Sequence, residues 1–248
     1  MRLAVLSDIH GNLYALETVL ADLKATGGAD QTWILGDLAV FCPEPVACIR
    51  AIRSLPEAKV IQGNTDRYLV TGRRPAMSPL TINTWPQWAV QTHERDLNFN
   101  WTLGQLGWEE AQYLLNLEID LALNVEGYGK VVGFHGAPGD DERVLLPNTS
   151  DAEILDALRN REGRLAIGGH THRPMDRSLG SWRIVNPGSV GFPFEDDKRA
   201  SYALLTFAGD QVQVDLRRVE YDLGAVLAAL KEAQHPAIDW ASRFFTEH

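Results

Sequence analysis

MRLAVLSDIHGN, residues 1–12, is the stretch from which the rest of the chain is read. Residues 2–7 form a short apolar run of the kind that makes a buried strand. The run stops at Asp8 and His10, two side chains with metal-binding and acid–base chemistry. Asn12 is placed to cap a helix whose apolar residues Leu13, Leu16, Leu20 and Leu23 recur at helical spacing, and Gly27-Gly28 ends it. The same order then repeats, with a strand at 32–35, a helix near 44–54 and a strand at 59–62. Strands alternating with helices indicate an α/β chain built from βαβ units, its sheet flanked by helices.

Residues 67–118 break that order. They lack strand runs, contain Pro75, Pro79 and Pro86, and carry Trp85, Trp88, Trp101 and Trp108. The stretch 108–117 has a helical pattern, so we expect a helical insert over the core or its mouth. The four tryptophans are expected chiefly to pack that insert, with stacking on a base or aryl group as the sharper alternative. Strand patterns return at 119–125, 130–134 and 165–168, with a helix around 151–160. The tail reads as strands near 182–185, 201–207 and 211–218, the last two joined as a hairpin at 208–210, and a helix over 222–234. With no repeats and no low-complexity linker, the expectation is one domain over 1–248 with an insert at about 67–118.

Composition narrows the function. The chain is 45% hydrophobic and 23% charged, as an ordinary globular protein is. Its start lacks the long apolar stretch of a signal peptide, and no run approaches a membrane span. A cytoplasmic protein that does not enter membranes is expected. The net charge of −10 argues against tracking long nucleic acids, which needs clustered Lys and Arg. It leaves room for small phosphate esters at a local basic site. Cys42 and Cys48 fit neither a CxxC site nor a disulfide framework and are read as packed, reduced thiols.

Seven candidate ligands follow one strand after another. Asp8 and His10 follow the first, Asp37 the second, Asn64 the third; His135 follows 130–134, and His170 with His172 follow 165–168. Sites in such sheets gather beyond the carboxyl ends of strands. Singly, each motif is more readily a cap, a turn or a surface histidine. Together, at five strand ends, they make a common site the better reading. Carboxylate and imidazole suit manganese, iron, zinc, nickel or cobalt. Two metals need one bridging group and separate terminal ligands, and Asp37 is the carboxylate placed to bridge. Glycines 11, 36, 63, 136, 168 and 169 flank these residues, where tight turns are needed.

The set Asp8-Ile9-His10-Gly11, Gly36-Asp37, Gly63-Asn64-Thr65-Asp66, Gly133-Phe134-His135-Gly136 and Gly169-His170-Thr171-His172 resembles the calcineurin-like metallophosphoesterases, in the family's order from residue 1 to about 190. Asn186-Pro187-Gly188-Ser189 is similar to the small bacterial and archaeal phosphodiesterase branch. The resemblance implies a four-layer αββα sandwich and two divalent metal ions, manganese foremost. It implies a first metal on Asp8, His10, Asp37 and His172, and a second on Asp37, Asn64, His135 and His170. It also implies hydrolysis of a small phosphate ester, a phosphodiester foremost, by a hydroxide bridging the metals, with Asp37, Asn64, Thr65 and His135 at the chemistry.

One position departs from the family's commonest pattern. Many members carry His after the Asn, near the leaving group, where it serves as a general acid; here Thr65 stands, a poor proton donor. Asp66, that histidine's partner elsewhere in the family, thereby loses its usual role. His93 in the insert is a candidate replacement acid, though a lone histidine on a polar stretch is usually just solvated. Asn12, Arg67 and Arg173 are the candidate substrate contacts, with Arg73 and Arg74 behind them, since Arg suits phosphate. Asn12 is first of all a helix cap. The rival readings are a catalytically weak or inactive binding member of the same fold, a phosphomonoesterase or a nucleotide pyrophosphohydrolase.

Overall fold

The computed structural model describes residues 1–75 and 81–246. Pro79, expected in the insert, lies outside the described residues. The elements begin with β1 (Arg2–Leu6), α1 (Leu13–Ala25), β2 (Gln31–Ile34), α2 (Pro45–Arg53) and β3 (Ala58–Val60). Three helices follow: α3 (Asn64–Thr71), α4 (Trp85–Gln105) and α5 (Trp108–Leu115). Then come β4 (Asp120–Val125), β5 (Gly129–Phe134), α6 (Asp151–Leu158), β6 (Leu165–Ile167), β7 (Met175–Leu179) and β8 (Trp182–Asn186). A hairpin of β9 (Ala200–Ala208) and β10 (Gln211–Val219) leads to α7 (Leu223–Glu232) and α8 (Ile238–Ala241).

The strands form two five-stranded sheets, ordered β10-β9-β1-β2-β3 and β4-β5-β6-β8-β7. In the first, β1, β2 and β3 run parallel while β9 and β10 add antiparallel strands. In the second, β5, β6 and β8 run parallel, with β4 and β7 antiparallel at the edges.

Strand alternation explains the layering. Leu3 and Val5 of β1 join Trp33, Val131, Leu165, Ile167 and Leu205 in an apolar layer between the sheets. Ala4 and Leu6, pointing the other way, pack against Leu16 and Val19 of α1 and Ile49 and Ile52 of α2. On the outer face of the second sheet, Val132, Phe134 and Ile184 meet Ile154 and Leu158 of α6. The result is the expected αββα sandwich. Both sides of β1 are covered, which is why Leu3, Ala4, Val5 and Leu6 are all apolar and do not alternate with polar residues.

The helical stretch starts at Asn64, three residues ahead of the expected boundary, where the Asp66 carboxylate accepts the Gly63 amide at the head of the helix. Helix α4 packs on α2 and α3, and Phe99 enters the core layer beneath it. Trp85 and Trp88 pair at 5.3 Å, and Trp101 packs against His235 at 4.3 Å. Trp108 is 75% exposed. No helix among the described residues is long and apolar enough to cross a membrane. Both cysteines are free and buried, and burial pushes their thiols well above the usual range.

His235 provides a test of this packing. Its ring is buried against Trp101, Nδ1 accepts from the Ala237 amide at 3.3 Å, and burial pushes the ring down to about 4. As pH falls below about 6.5, the unfolded chain takes up a proton that the folded ring refuses. The contribution of the neutral ring is therefore intact above that pH and is lost as pH falls through about 4. His235→Gln is expected to show a smaller fall in Tm between pH 7 and pH 5 than the wild type; an equal fall would show that His235 titrates normally.

Candidate metal centre

Each of the seven candidate ligands stands beyond the carboxyl end of a strand. Asp8 and His10 follow β1, Asp37 follows β2, and Asn64 opens α3 after β3. His135 follows β5, and His170 and His172 follow β6. Asp8, His10, Asp37 and Asn64 come from one sheet and His135, His170 and His172 from the other, so the site lies where the ends of both sheets meet. Asp8, His10, Asp37 and His172 hold their ligand atoms within 4.8 Å of one another, and Asp37, His135 and His170 do the same. Asp37 belongs to both groups. Its Oδ2 stands 3.6 Å from His10 Nε2 and 3.5 Å from His135 Nε2. Asn64 Oδ1 joins the second group at 3.0 Å from His135 Nε2.

The backbone is strained to achieve this. Asp8, His10, Asp37, His170 and His172 all have φ between 53° and 66°. Left-handed backbone at a non-glycine residue costs on the order of 1–3 kcal/mol each and persists where the surroundings over-determine it. Gly63 shows how tight those surroundings are: a Cβ there would lie 2.1 Å from Asp37 Oδ1. Asp66 accepts the amides of Asp37 at 2.8 Å, Leu38 at 2.9 Å and Gly63 at 3.0 Å. It therefore clamps the Asp37 loop.

A second organising loop carries the Asn186-Pro187-Gly188-Ser189 motif. Asn186 Nδ2 donates to Gly169 O at 2.7 Å, and Ser189 Oγ donates to Asp8 O at 2.8 Å. His172 Nδ1 bonds to Phe192 O. These contacts tie the Asp8 loop to the His170 loop. The sequence flagged the motif, but not the aromatic wall beside it. Phe41 lies 4.9 Å from the His10 ring, Phe192 lies 5.7 Å from it, and Phe194 stacks on His172 at 4.1 Å and 4°.

The donor chemistry shows what the centre lacks. His10 Nδ1 faces Val40 O at 3.1 Å, His135 Nδ1 faces Leu35 O at 2.6 Å, and His172 Nδ1 faces Phe192 O. A carbonyl only accepts, so each Nδ1 carries a proton. Burial would lower His135, but Asp37 beside it raises it to about 10, so its Nε2 also holds a proton that a cation would displace. His10 Nε2 and His172 Nε2 then face each other at 3.2 Å. Asp8 Oδ1 is buried with no hydrogen-bond partner. A pocket of converging acceptors calls for cations, and these residues fit them. Burial pushes His10 down to about 4, consistent with a neutral ligand. Burial would raise the Asp37 carboxyl, but the surrounding imidazoles, His135 first, hold it well below the usual carboxylate range.

A family model described as the calcineurin-like phosphoesterase superfamily domain matches residues 1–210. The chain belongs to that superfamily. An uncharacterized protein from Methanocaldococcus jannaschii is 31% identical over 238 residues, covering 89% of this chain and 88% of its own. A metallophosphoesterase crystal structure from Sphaerobacter thermophilus superposes with a TM-score of 0.74 at 26% identity, over 99% of both chains. A symmetrical bis(5'-nucleosyl)-tetraphosphatase from Thioalkalivibrio sulfidiphilus is 32% identical over 71 residues, covering 28% of this chain and 26% of its own. Family members typically bind divalent metals, and the Asp and His cluster of this chain lies where such a site would form.

The expected substrate contacts fare unequally. Asn12 is fully buried, its Oδ1 accepts from Ala15 N at 3.1 Å and its Nδ2 donates to Gly191 O at 2.8 Å. It caps α1 and is turned into the protein, away from solvent. Arg67 is also committed, bidentate to Asp141 at 2.6 and 2.8 Å and bonded to Glu142 at 2.6 Å. Its charge is thereby matched by two carboxylates, and only Nη1 is left without a partner among the described residues. Arg74 bonds to Asp96 and the Tyr68 carbonyl, and Arg73 is exposed. Arg173 is exposed and, among the described residues, makes no ion pair. His93 is exposed on α4, with no hydrogen bond or ion pair among the described residues.

Stripping divalent ions should therefore destabilise the fold. One cation at about 100 times its Kd stabilises by about 2.7 kcal/mol, and 1 kcal/mol moves Tm by about 2–4 °C in a chain of this size. Chelation is expected to lower Tm by about 5–10 °C, reversed by adding Mn²⁺. A Tm indifferent to both would speak against a metal centre.

Proposed function

We propose that this chain is a phosphodiesterase that hydrolyses a small phosphate ester with two divalent cations. The first would sit on Asp8, His10, Asp37 and His172, the second on Asp37, Asn64, His135 and His170. The observation that carries the reading is the sharing of Asp37 between two buried groups of acceptors, in a chain of a phosphoesterase superfamily. When bound, two such cations lower the pKa of water and neutralise charge on attacking and departing oxygens. The residues do the rest. Asp37 stays ionised, the Nδ1 bonds fix the imidazole faces, and Asp66 and Asn186 hold the loops that carry the ligands. Arg173 is free to meet the phosphate as a cation beside His170.

The test is a screen of phosphomonoesters, phosphodiesters and nucleoside polyphosphates with Mn²⁺, Fe²⁺, Zn²⁺, Ni²⁺ and Co²⁺ in turn. Diester hydrolysis lost on chelation is expected. Silence toward every ester with every metal would overturn the reading and favour a binding role. A second reading, hydrolysis of nucleoside polyphosphates, is favoured by the short match to the symmetrical tetraphosphatase. Thr65 weighs against it, since such enzymes normally carry a histidine there.

A further inference from the structure

A cleft of about 690 Å³ opens beside the candidate centre, and His170 is part of its wall. The wall is otherwise unlike the centre. Val144, Leu146, Pro147 and Phe194 make it apolar, and Arg173 stands as a cation at its side. Val144 is 53% exposed and Phe194 43% exposed. Exposed apolar groups around a concave surface that continues into a polar centre are the usual makeup of a ligand subsite. Neither side chain is needed there to close the core clusters that hold the sheets together.

Phe194 narrows the ligand. Its ring lies parallel to His172 at 4.1 Å and meets Phe192 at 5.8 Å and Phe244 at 5.7 Å, which fixes the ring plane, and the residue lines the cleft while 43% exposed. A second flat ring laid on that surface would extend the stack. Every nucleobase has such a face, and stacking on an aromatic side chain tolerates any of them. Asn148, on the same wall, has the side chain that pairs with an adenine edge. Arg173 supplies the charge for a phosphate in a chain whose net charge is −10.

We propose that this cleft is the subsite for a nucleobase carried on the phosphate ester, with the ring on Phe194 and its phosphate drawn between Arg173 and the centre. The substrate class would then be nucleotide-type esters. This rests on the phosphoesterase reading above, and it is tested by binding so that the two can fail separately.

Calorimetry on the manganese-loaded protein would compare adenosine 5'-monophosphate with ribose 5-phosphate, which lacks only the base. The nucleotide is expected to bind about tenfold to a hundredfold more tightly, the contribution of one stacked base. Phe194→Leu keeps an apolar cover on His172 and should bring the ratio down about tenfold or to near one. Val144→Asp, at an exposed rim position that does not threaten folding, should lower it too. Arg173→Ala should weaken both ligands and leave their ratio in place. Equal affinities in the wild type, or a ratio untouched by both Phe194→Leu and Val144→Asp, would overturn the proposal. A preserved nucleotide preference in a protein that hydrolyses no ester would keep the subsite and remove the enzyme.

Discussion

Asp37→Asn is expected to lower the turnover of any phosphodiester by about 10³-fold or more and to reduce bound metal below two ions per chain. Asparagine matches aspartate in shape, and its Oδ1 can still accept the Thr65 amide that lies 2.9 Å from Asp37 Oδ1. The loop clamped by Asp66 should therefore stay in place. What disappears is the charge between His10 and His135, at the one carboxylate common to both acceptor groups. A cation contributes several kcal/mol of stabilisation to developing charge, and each 1.36 kcal/mol is tenfold in rate. His135→Ala is the companion variant, since it removes a ligand from the second group alone and should leave one ion bound. Metal analysis and steady-state kinetics on both variants decide the matter. Wild-type turnover in Asp37→Asn would overturn the shared-carboxylate site.

The ligands could be found in the sequence because strand ends are marked locally. An apolar run such as RLAVLS stops, and a ligand follows within one to three residues. No long-range knowledge is needed to see Asp8, Asp37, Asn64, His135 or His170 at such a place. What the chain could not show was which side chains those loops leave free. Asn12 sits two residues from His10 and has a suitable amide, yet its atoms are taken by Ala15 and by Gly191, which is 179 positions away. Arg67 adjoins the Asn64 loop and is captured by Asp141 and Glu142 from beyond β5. Both losses arise from pairings between distant segments, which no spacing rule records.

Among the strands, β7 escaped notice for a related reason. Its sequence, MDRSL, follows Pro174 and puts charge and hydroxyl between two buried ends, Met175 and Leu179. At the sheet edge, pairing only with β8, it needs no apolar run to be held. The aromatic wall was hidden in the same way. Phe41, Phe192, Phe194 and Trp240 come from three separate segments and meet only because Gly191 lets its loop lie against Ile9. A Cβ at Gly191 would come 1.8 Å from Ile9 O, so this approach requires glycine.

A bis-aryl diester such as bis-p-nitrophenyl phosphate is expected to turn over about 10²–10⁴ times faster than a simple alkyl phosphomonoester, the factor a general acid commonly supplies. The expectation comes from Thr65. It is buried beside Asp37, its amide is spent on Asp37 Oδ1, and its hydroxyl has no hydrogen-bond partner. That hydroxyl can donate a hydrogen bond to a departing oxygen, but its high pKa makes it a poor source of a proton. An alkoxide leaving without a proton is costly, whereas p-nitrophenolate needs none. His93 offers no remedy from its exposed position on α4, so His93→Ala should leave kcat for both substrates as it was. The comparison of leaving groups also separates a missing acid from a damaged centre, because a damaged centre slows both esters together while a missing acid slows only the one that needs a proton. Equal rates on the aryl diester and the alkyl monoester would mean that another group protonates the leaving oxygen, and the role given to Thr65 would fall.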